Sequence, residues 1–320
     1  MSHLTREQRY TIASMLQNGY NQKEIALVIK KDKSVVSREI RRNADARSGV
    51  YRDDLAHRKY LKRQEYKAKT RTFTPEVEEY VRDKLRLKHS PEQIAGVAKK
   101  NGDKCVSHER IYQFIWQDKR KKGTLYLDLR NRGRRYKKRS VIYDKRGIIP
   151  NRTDISQRPP EVELRERFGD LEIDLIIGKN HKGAILTIND RATGFGKLRK
   201  LDGKDAQQLA TATIDCLMEW KPFLKTITSD NGKEFAAHEL VAKHLNIDFF
   251  FAKPYASWQR GSNENFNRLV RQYIPKKVDF DCIPTDYINF VEYQLNNRPR
   301  KRFKYESPMF MFNQKVAFST

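Results

Sequence analysis

Acidic residues next to predicted strands and at the start of a predicted helix could hold metal ions. Asp174 lies in the middle of an apolar strand pattern, Asp230 follows a second strand, and Glu264 begins a helix. A charged carboxylate in an apolar strand is costly unless it is paired or binds a metal. Mg²⁺ prefers oxygen ligands, and two ions about 3.5–4 Å apart can support phosphodiester cleavage. These carboxylates are therefore candidates for metal-dependent chemistry on nucleic acid.

The residue pattern alone leaves structural roles open for all of them. Asp170, Glu172 and Asp174 share one face of the first strand, so periodicity favours Glu172 and Asp174 equally. Asp230 precedes an Asn-Gly pair and could be an ordinary turn residue. Glu264 could be an acidic residue that the helix dipole favours.

The elements that must position these side chains follow from the apolar spacing after Phe168. Two-residue alternation predicts strands, and apolar residues three and four positions apart predict helices. The order is strand, strand, strand, helix, strand, helix, strand, helix, which indicates an α/β domain. The predicted elements cover residues 170–177, 183–189, 196–201, 206–220, 226–228, 236–245, 248–252 and 264–273.

The first 45 residues have the apolar spacing of three short helices, which is typical of a helix-turn-helix domain. Gly19 is expected to end the first helix, Asn21 to cap the second, and Ser34 to cap the third. This part of the chain is therefore predicted to be an all-α DNA-binding domain.

The outward face of the third helix is expected to enter the major groove. Ser37 and Arg38 lie near its N-terminus and suit base edges, whereas Arg41 and Arg42 suit phosphates. The structural alternative is a small helical bundle with a solvated basic face. Because the basic side chains gather on the last helix, DNA binding is favoured.

A second helix-turn-helix domain is predicted over residues 72–118. Thr74 and Ser90 are predicted helix caps, and each precedes a proline at the first helical position. His108 and Arg110 would be exposed on the last helix and could contact DNA. The alternative is a helical bundle that only spaces the domains.

Two linkers separate these domains in the sequence-based interpretation. A polar linker covers residues 46–71, and a basic linker covers 119–165, with the α/β domain over 166–320. We interpret the basic linker as lying along DNA, since its Lys and Arg residues are dense and glycines interrupt any long helix. A solvated charge run without a specific partner is the alternative.

The charge distribution favours double-stranded DNA as the partner of the N-terminal half. Lys and Arg total 66 against 40 Asp and Glu, and residues 1–150 hold 39 basic and 18 acidic residues, a balance of +21. Each phosphate that Lys or Arg neutralises releases counterions, which strengthens binding. A membrane partner is not expected, because no apolar run approaches the roughly 18 residues of a transmembrane helix.

The cysteines and the first residues of the sequence indicate the cellular compartment in which the protein is expected. Cys105, Cys216 and Cys282 are widely spaced and odd in number, so they predict neither a disulfide framework nor a zinc site. No signal peptide opens the sequence. We expect a reducing compartment, the cytoplasm, and the family resemblance given next implies a bacterial protein associated with the nucleoid.

Several motifs together resemble the DDE transposases, specifically the insertion-sequence-thirty family. The likeness covers nearly the whole chain, and its strongest part is the string from Trp258 to Asn265. The segments that carry it are SREIRRN at 37–43, GDLEID at 169–174, TSDNGKEF at 228–235, PYASWQRGSNEN at 254–265, RQYIPK at 271–276 and NNRPR at 296–300.

The resemblance implies an RNase H-like fold with a mixed sheet, and a catalytic set of Asp174, Asp230 and Glu264. It selects Asp174 over Glu172, and it implies two Mg²⁺ ions, for which Mn²⁺ would substitute. The expected activity is cleavage at the terminal inverted repeats of an insertion sequence followed by strand transfer. Because two ends must be joined, a homodimer or larger assembly is expected.

The sequence leaves open the roles of two arginines and allows other classes of protein. Arg268 and Arg271 could contact the DNA backbone or form surface ion pairs. Leu171 stands where members of the family commonly carry Trp. A transcriptional regulator with an oligomerising C-terminal domain would also bind DNA, but it would not need the carboxylates. A zinc hydrolase is disfavoured, since the His238-Glu239 pair lacks a second His at Ala242.

Overall fold

The computed structural model of the chain describes residues 3–66, 73–132, 149–179, 183–254, 256–276 and 278–317. Contacts divide the chain into two compact units, Met1–Arg71 and Thr72–Thr320. Among the helices in these ranges, none combines the length and the apolar character that a membrane span requires.

Over its described residues, 3–66, the first unit contains four helices, and the sequence predicted three of them. They are α1 (Arg6–Gln17), α2 (Gln22–Val28), α3 (Lys33–Asn43) and α4 (Asp53–Tyr66). Asn21 caps α2 in a capping box with Glu24, and Gly19 has a positive φ of 80° just after α1, as expected. Ser34 is not the cap of α3: Asp32 takes this role, because its carboxylate accepts a hydrogen bond from the Ser34 amide.

The structure differs from the sequence-based interpretation over residues 46–71, which contain α4 rather than only a linker. Ala56 of α4 is fully buried, and Tyr51 just before it is buried in the same apolar cluster as Ile12 and Val36. The helix carries few apolar residues, so it lacks the three- and four-residue spacing by which helices are recognised.

Three helices begin the second unit and agree with the prediction over residues 72–118. They are α5 (Pro75–Arg86), α6 (Pro91–Asn101) and α7 (His108–Arg120). Thr74 and Ser90 cap the first two, and Gly102 ends α6 with a φ of 77°. Their shared core includes Leu85, Ile94, Ile111 and Ile115.

A six-stranded mixed sheet forms the centre of the second unit and confirms the α/β prediction. The order is β1-β6-β5-β2-β3-β4, in which β2, β3 and β4 are antiparallel and β2, β5, β6 and β1 are parallel. The strands are β1 (Thr153–Asp154), β2 (Asp170–Ile177), β3 (Ala184–Asp190), β4 (Gly196–Leu201), β5 (Thr226–Ser229) and β6 (Asp248–Phe251).

The edge strand β1 lies in the segment that the sequence assigned to the basic linker, 119–165. Val162 is also fully buried, so the described end of this segment belongs to the α/β fold. Two residues are too few to show a strand periodicity, which is why the pattern gave no sign of β1. Residues 133–148 of the predicted linker, with four of its ten arginines, lie outside the described residues.

Helices cover both faces of the sheet, and strand parity decides which residues meet which helices. Leu171, Ile173 and Leu175 of β2 pack in the cluster that includes α9 and α10, whereas Ile176 packs with residues of α11 and α12. Alternate residues of β2 therefore point toward α11. The helices are α8 (Glu161–Leu164), α9 (Ala206–Leu217), α10 (His238–Leu245), α11 (Gly261–Tyr273), α12 (Thr285–Asn297) and α13 (Pro308–Ala317).

If α4 is part of the first unit, a charge on its buried face should unfold that unit. In a fragment of residues 1–71, we expect Ala56→Asp to cost about 3 kcal/mol or more, since it buries an unpaired carboxylate. Leu61→Asp on the exposed side of the same helix should change stability by less than about 0.5 kcal/mol. Thermal unfolding followed by circular dichroism measures both, and equal melting temperatures would show that α4 is not packed.

Candidate active site

Sheet register brings Asp174 and Asp230 to neighbouring positions. Glu172 of β2 pairs with Thr228 of β5, and Asp174 and Asp230 each lie two residues beyond that last paired position. The two strands are parallel, so both carboxylates emerge at the same edge of the pairing. The register therefore juxtaposes two acidic residues that are far apart in the sequence.

The Asp174 carboxylate is half-enclosed beneath α11. Its Oδ1 accepts a hydrogen bond from the Leu175 amide at 2.9 Å, and its Oδ2 accepts one from the Asn267 side-chain amide at 2.9 Å. The side chain is 24% exposed, compared with 29% for Asp230. Both carboxylates remain accessible to a ligand.

One guanidinium group bridges the two aspartates. Arg260 Nη1 lies 3.6 Å from Asp174 Oδ2, and Arg260 Nη2 lies 3.5 Å from Asp230 Oδ2. Arg260 also donates to the Ile173 carbonyl at 3.0 Å, which fixes it against β2. The positive charge of this side chain stands between the carboxylates.

The Arg260 charge does not fully compensate the two carboxylates Asp174 and Asp230. Burial raises the pKa of Asp174 to about 6; the Arg260 guanidinium opposes this shift, and the Asp230 carboxylate adds to it. Two carboxylates that share a site disfavour each other's charge. The Asp174 and Asp230 carboxylates therefore disfavour each other's charge even with Arg260 between them.

Glu264 lies in the first turn of α11 but is not part of this pair. Its Oε1 accepts a hydrogen bond from Arg268 Nη2 at 2.8 Å, and its side chain is 36% exposed. Within the described ranges, no three His, Cys, Asp or Glu side chains are placed to hold a metal ion. The structure thus brings together two of the three predicted carboxylates.

Glu172, the competing carboxylate on β2, has a different environment. It is fully buried, its Oε1 accepts from Arg191 Nη1 at 2.7 Å, and its Oε2 accepts from the Asn263 amide at 2.7 Å. Arg191 is also buried and bonds Glu163. Glu172 is therefore committed to holding α11 on β2, which leaves Asp174 as the accessible acid of this strand.

Sequence reasoning did not identify Arg260, Arg191 or Asn267 as members of this region. Arg260 and Asn267 were within reach, because they lie in and just after the segment at 254–265 that carried the family likeness. Arg191 had no comparable signal, since its role depends on a fully buried carboxylate nineteen positions earlier in the chain.

Comparisons with known proteins extend over the whole chain. A family model described as "Helix-turn-helix domain" matches residues 1–43. The transposase for insertion sequence element IS4351 of Bacteroides fragilis is 53% identical over 99% of both chains. Transposase InsI for insertion sequence element IS30C of Escherichia coli is 30% identical over 100% of this chain and 85% of that protein.

This chain belongs to the IS30 family of insertion-sequence transposases. Among solved structures, the catalytic core domain of BIV integrase covers 47% of this chain and 97% of its own, with 19% identity and a TM-score of 0.38. Membership of the family makes the protein a DNA-binding enzyme of transposition, a polynucleotidyl transferase.

The helix-turn-helix region of the transposase presents the residues that the sequence proposed for DNA contact. Ser37, Arg38, Arg41 and Arg42 are all exposed on α3, while Val36 is fully buried on its opposite side. Arg38 folds back onto Ser34, donating to its carbonyl at 3.0 Å. The exposed face of α3 is therefore continuous and basic.

The other four residues of the transposase that were predicted to contact DNA differ in exposure and in their partners. His108 is exposed on α7, but Arg110 is only half-exposed, with its guanidinium 5.0 Å from the centre of the Phe73 ring. Arg268 forms the ion pair with Glu264. Arg271 donates to the Ile177 carbonyl at 2.9 Å, so it joins α11 to β2.

Glu172 and Asp174 should respond oppositely to the same chemical change. Glu172→Gln removes the buried carboxylate partner of Arg191 and leaves it paired with the exposed Glu163, so we expect a loss of about 3 kcal/mol in the free energy of unfolding. Asp174→Asn removes one of two repelling carboxylates and should be neutral or stabilising. Urea unfolding of the full chain without divalent ions measures both, and a larger loss for Asp174→Asn would contradict the assignment.

The raised pKa of Asp174 predicts a pH dependence with a definite sign. The native state holds the Asp174 proton more tightly than the unfolded chain, where the pKa is near 3.8. This group's contribution to stability therefore falls as pH rises from about 4 to about 6. The difference in unfolding free energy between wild type and Asp174→Asn should change over that interval, and a constant difference would contradict the raised pKa.

Proposed function

We propose that the transposase cuts and joins DNA with two Mg²⁺ ions held by Asp174, Asp230 and Glu264, and that Mn²⁺ substitutes for Mg²⁺. The observation that carries this proposal is the sharing of Arg260 by Asp174 and Asp230. A cation already stands between two accessible carboxylates whose charges repel. The donors are oxygens, which suit Mg²⁺ and Mn²⁺.

Glu264 can join this pair at small energetic cost. Its partner Arg268 is exposed, and ion pairs between exposed side chains contribute about 0.2–1 kcal/mol. Its place in the first turn of α11 puts it on the same helix as Asn267, which already donates to Asp174. The third carboxylate is therefore on the correct element for a shared site.

Each protein group has a task in the proposed reaction. Divalent ions supply charge neutralisation at the phosphodiester and lower the pKa of the attacking group. Asn267 orients Asp174 by donating to one of its oxygens. Glu172 holds the N-terminal turn of α11 through the Asn263 amide, so that Glu264 stays beside β2. Arg260 balances the aspartates until the ions are bound, and then remains available to a DNA phosphate.

The DNA-binding part of the proposal assigns end recognition to α3. Ser37 and Arg38 would read base edges, and Arg41 and Arg42 would contact phosphates of the terminal inverted repeats. His108 on α7 is the exposed candidate of the second helix-turn-helix domain. Since two ends must be joined in one reaction, we infer an assembly of at least two copies on DNA.

Substitution of Asp230 separates catalysis from binding. We expect Asp230→Asn to lower Mg²⁺-dependent strand cleavage of an end-bearing duplex by more than about a hundredfold, since the loss of an outer-shell partner alone costs about 10–100-fold. Affinity for the same duplex, measured by gel shift at fixed salt, should be unchanged or higher.

The matched control is Asp248→Asn, because Asp248 is an exposed acid at the start of β6. It removes the same charge from the same sheet and should cleave like wild type. Equal cleavage by Asp230→Asn and wild type would remove Asp230 from the site. DNA binding without any cleavage by the wild-type protein would instead favour a regulatory function.

A further inference from the structure

A second charged site lies beside α11, away from the aspartate pair. It is a cavity of about 340 Å³ that α6, α11 and the segment after α12 enclose within the second unit. Four arginines line it: Arg130, Arg298, Arg300 and Arg302. So many cations around one cavity require an explanation, because like charges in close proximity repel.

These guanidinium groups are held by neutral oxygens rather than by carboxylates. Arg298 donates to the side-chain carbonyls of Gln93 at 3.0 Å and Gln272 at 2.8 Å, and Arg300 donates to the Leu295 carbonyl at 2.9 Å. Arg130 donates to the Asn265 side-chain oxygen at 2.8 Å and Arg302 to the Arg191 carbonyl at 3.5 Å. In the described chain, no carboxylate forms an ion pair with any of the four.

The one acid at the cavity wall does not compensate them. Glu92 accepts a hydrogen bond from Lys301, which neutralises its charge. Burial first, and then the neighbouring arginines led by Arg298, lower the pKa of Arg300 to about 9. Asp190 and Glu172 act on Arg302 from a distance, but neither forms an ion pair with it. The cavity therefore carries an excess of positive charge, which an anion would relieve.

A buried hydroxyl group gives independent evidence for a ligand. Ser262, in the first turn of α11, is 8% exposed, and its Oγ has no hydrogen-bond partner among the described residues. Buried polar atoms are almost always hydrogen-bonded, so an unpartnered one calls for a ligand. Ser262 lines the same cavity and precedes Glu264 by two residues.

We propose that this cavity binds a backbone phosphate of the DNA strand beside the cleavage site. Arginine and hydroxyl donors together suit phosphate oxygens, which accept short charge-assisted hydrogen bonds. Arg130 and Arg302 are exposed, so a phosphate of bound DNA can reach the cavity from solvent. Ser262 and Glu264 lie on opposite sides of α11, so a phosphate held here fixes the strand roughly 10 Å from that carboxylate, and this assignment rests on the proposed function.

The test measures DNA binding without divalent ions, so that it does not depend on cleavage. Single methylphosphonates, which remove one phosphate charge each, are placed in turn along an end-bearing duplex. Wild type should lose affinity about tenfold at a position near the cleaved bond. In Ser262→Ala and Arg302→Gln that position should lose part of its sensitivity. In Arg302→Gln, which removes a charge, the salt dependence should also fall by up to about one phosphate contact.

Two further variants control for folding and for net charge. Lys243→Gln removes an exposed charge from α10 on the opposite face of the sheet and should keep the wild-type profile. Arg302→Lys keeps the charge and should restore the salt dependence. Unfolding midpoints of all variants should match, and Ser262→Ala, which deletes one oxygen, keeps the test valid if Arg302→Gln is unstable.

The outcomes separate this inference from the proposed catalytic function. Identical methylphosphonate profiles for wild type, Ser262→Ala and Arg302→Gln would overturn the phosphate site, whatever the cleavage result for Asp230→Asn. Inorganic phosphate could also stabilise wild type but not Ser262→Ala while the DNA profiles stay unchanged. That result would assign the cavity to a free anion and would also overturn the DNA phosphate site. Loss of cleavage in Asp230→Asn tests the catalytic proposal alone, and it does not affect how the DNA profiles or the phosphate stabilisation are interpreted.

Discussion

The buried contact between Glu172, Arg191 and the Asn263 amide is the constraint on which the rest of the site depends. A fully buried carboxylate is stable only when its oxygens are paired, and here both are. One partner is the backbone of α11, so the cost of burying this charge is offset only when α11 lies against β2. The helix that carries Glu264 is thereby fixed to the strand that carries Asp174.

The aspartate pair shows the opposite arrangement on the same strand face. Asp174 and Asp230 are accessible and repel each other, and Arg260 balances them only in part. A fully paired carboxylate, Glu172, therefore lies two residues away from an incompletely balanced and more accessible one, Asp174.

Positive charge is likewise used in two distinct ways. On α3, arginines are exposed around a small apolar core, which suits contact with a duplex surface. In the cavity beside α11, arginines are held by amide and carbonyl oxygens, so their positions are fixed while their charges remain unbalanced. The net charge of +26 is therefore not a uniform property of the surface.

The sequence by itself determined the local structure. It predicted the helix caps Asn21, Thr74 and Ser90, the alternation in β2 and the order of elements, because each of these depends on neighbours a few residues away. Helix α4 and strand β1 were not, since one lacks apolar spacing and the other is too short. Alternation alone gave Asp174 and Glu172 equal weight, and the family resemblance chose Asp174. The tertiary structure gives the physical difference, because the two side chains have the same parity but different groups pack over them. It also decided that Arg260 joins two aspartates and that four arginines share a cavity, because both arrangements depend on contacts between distant parts of the chain.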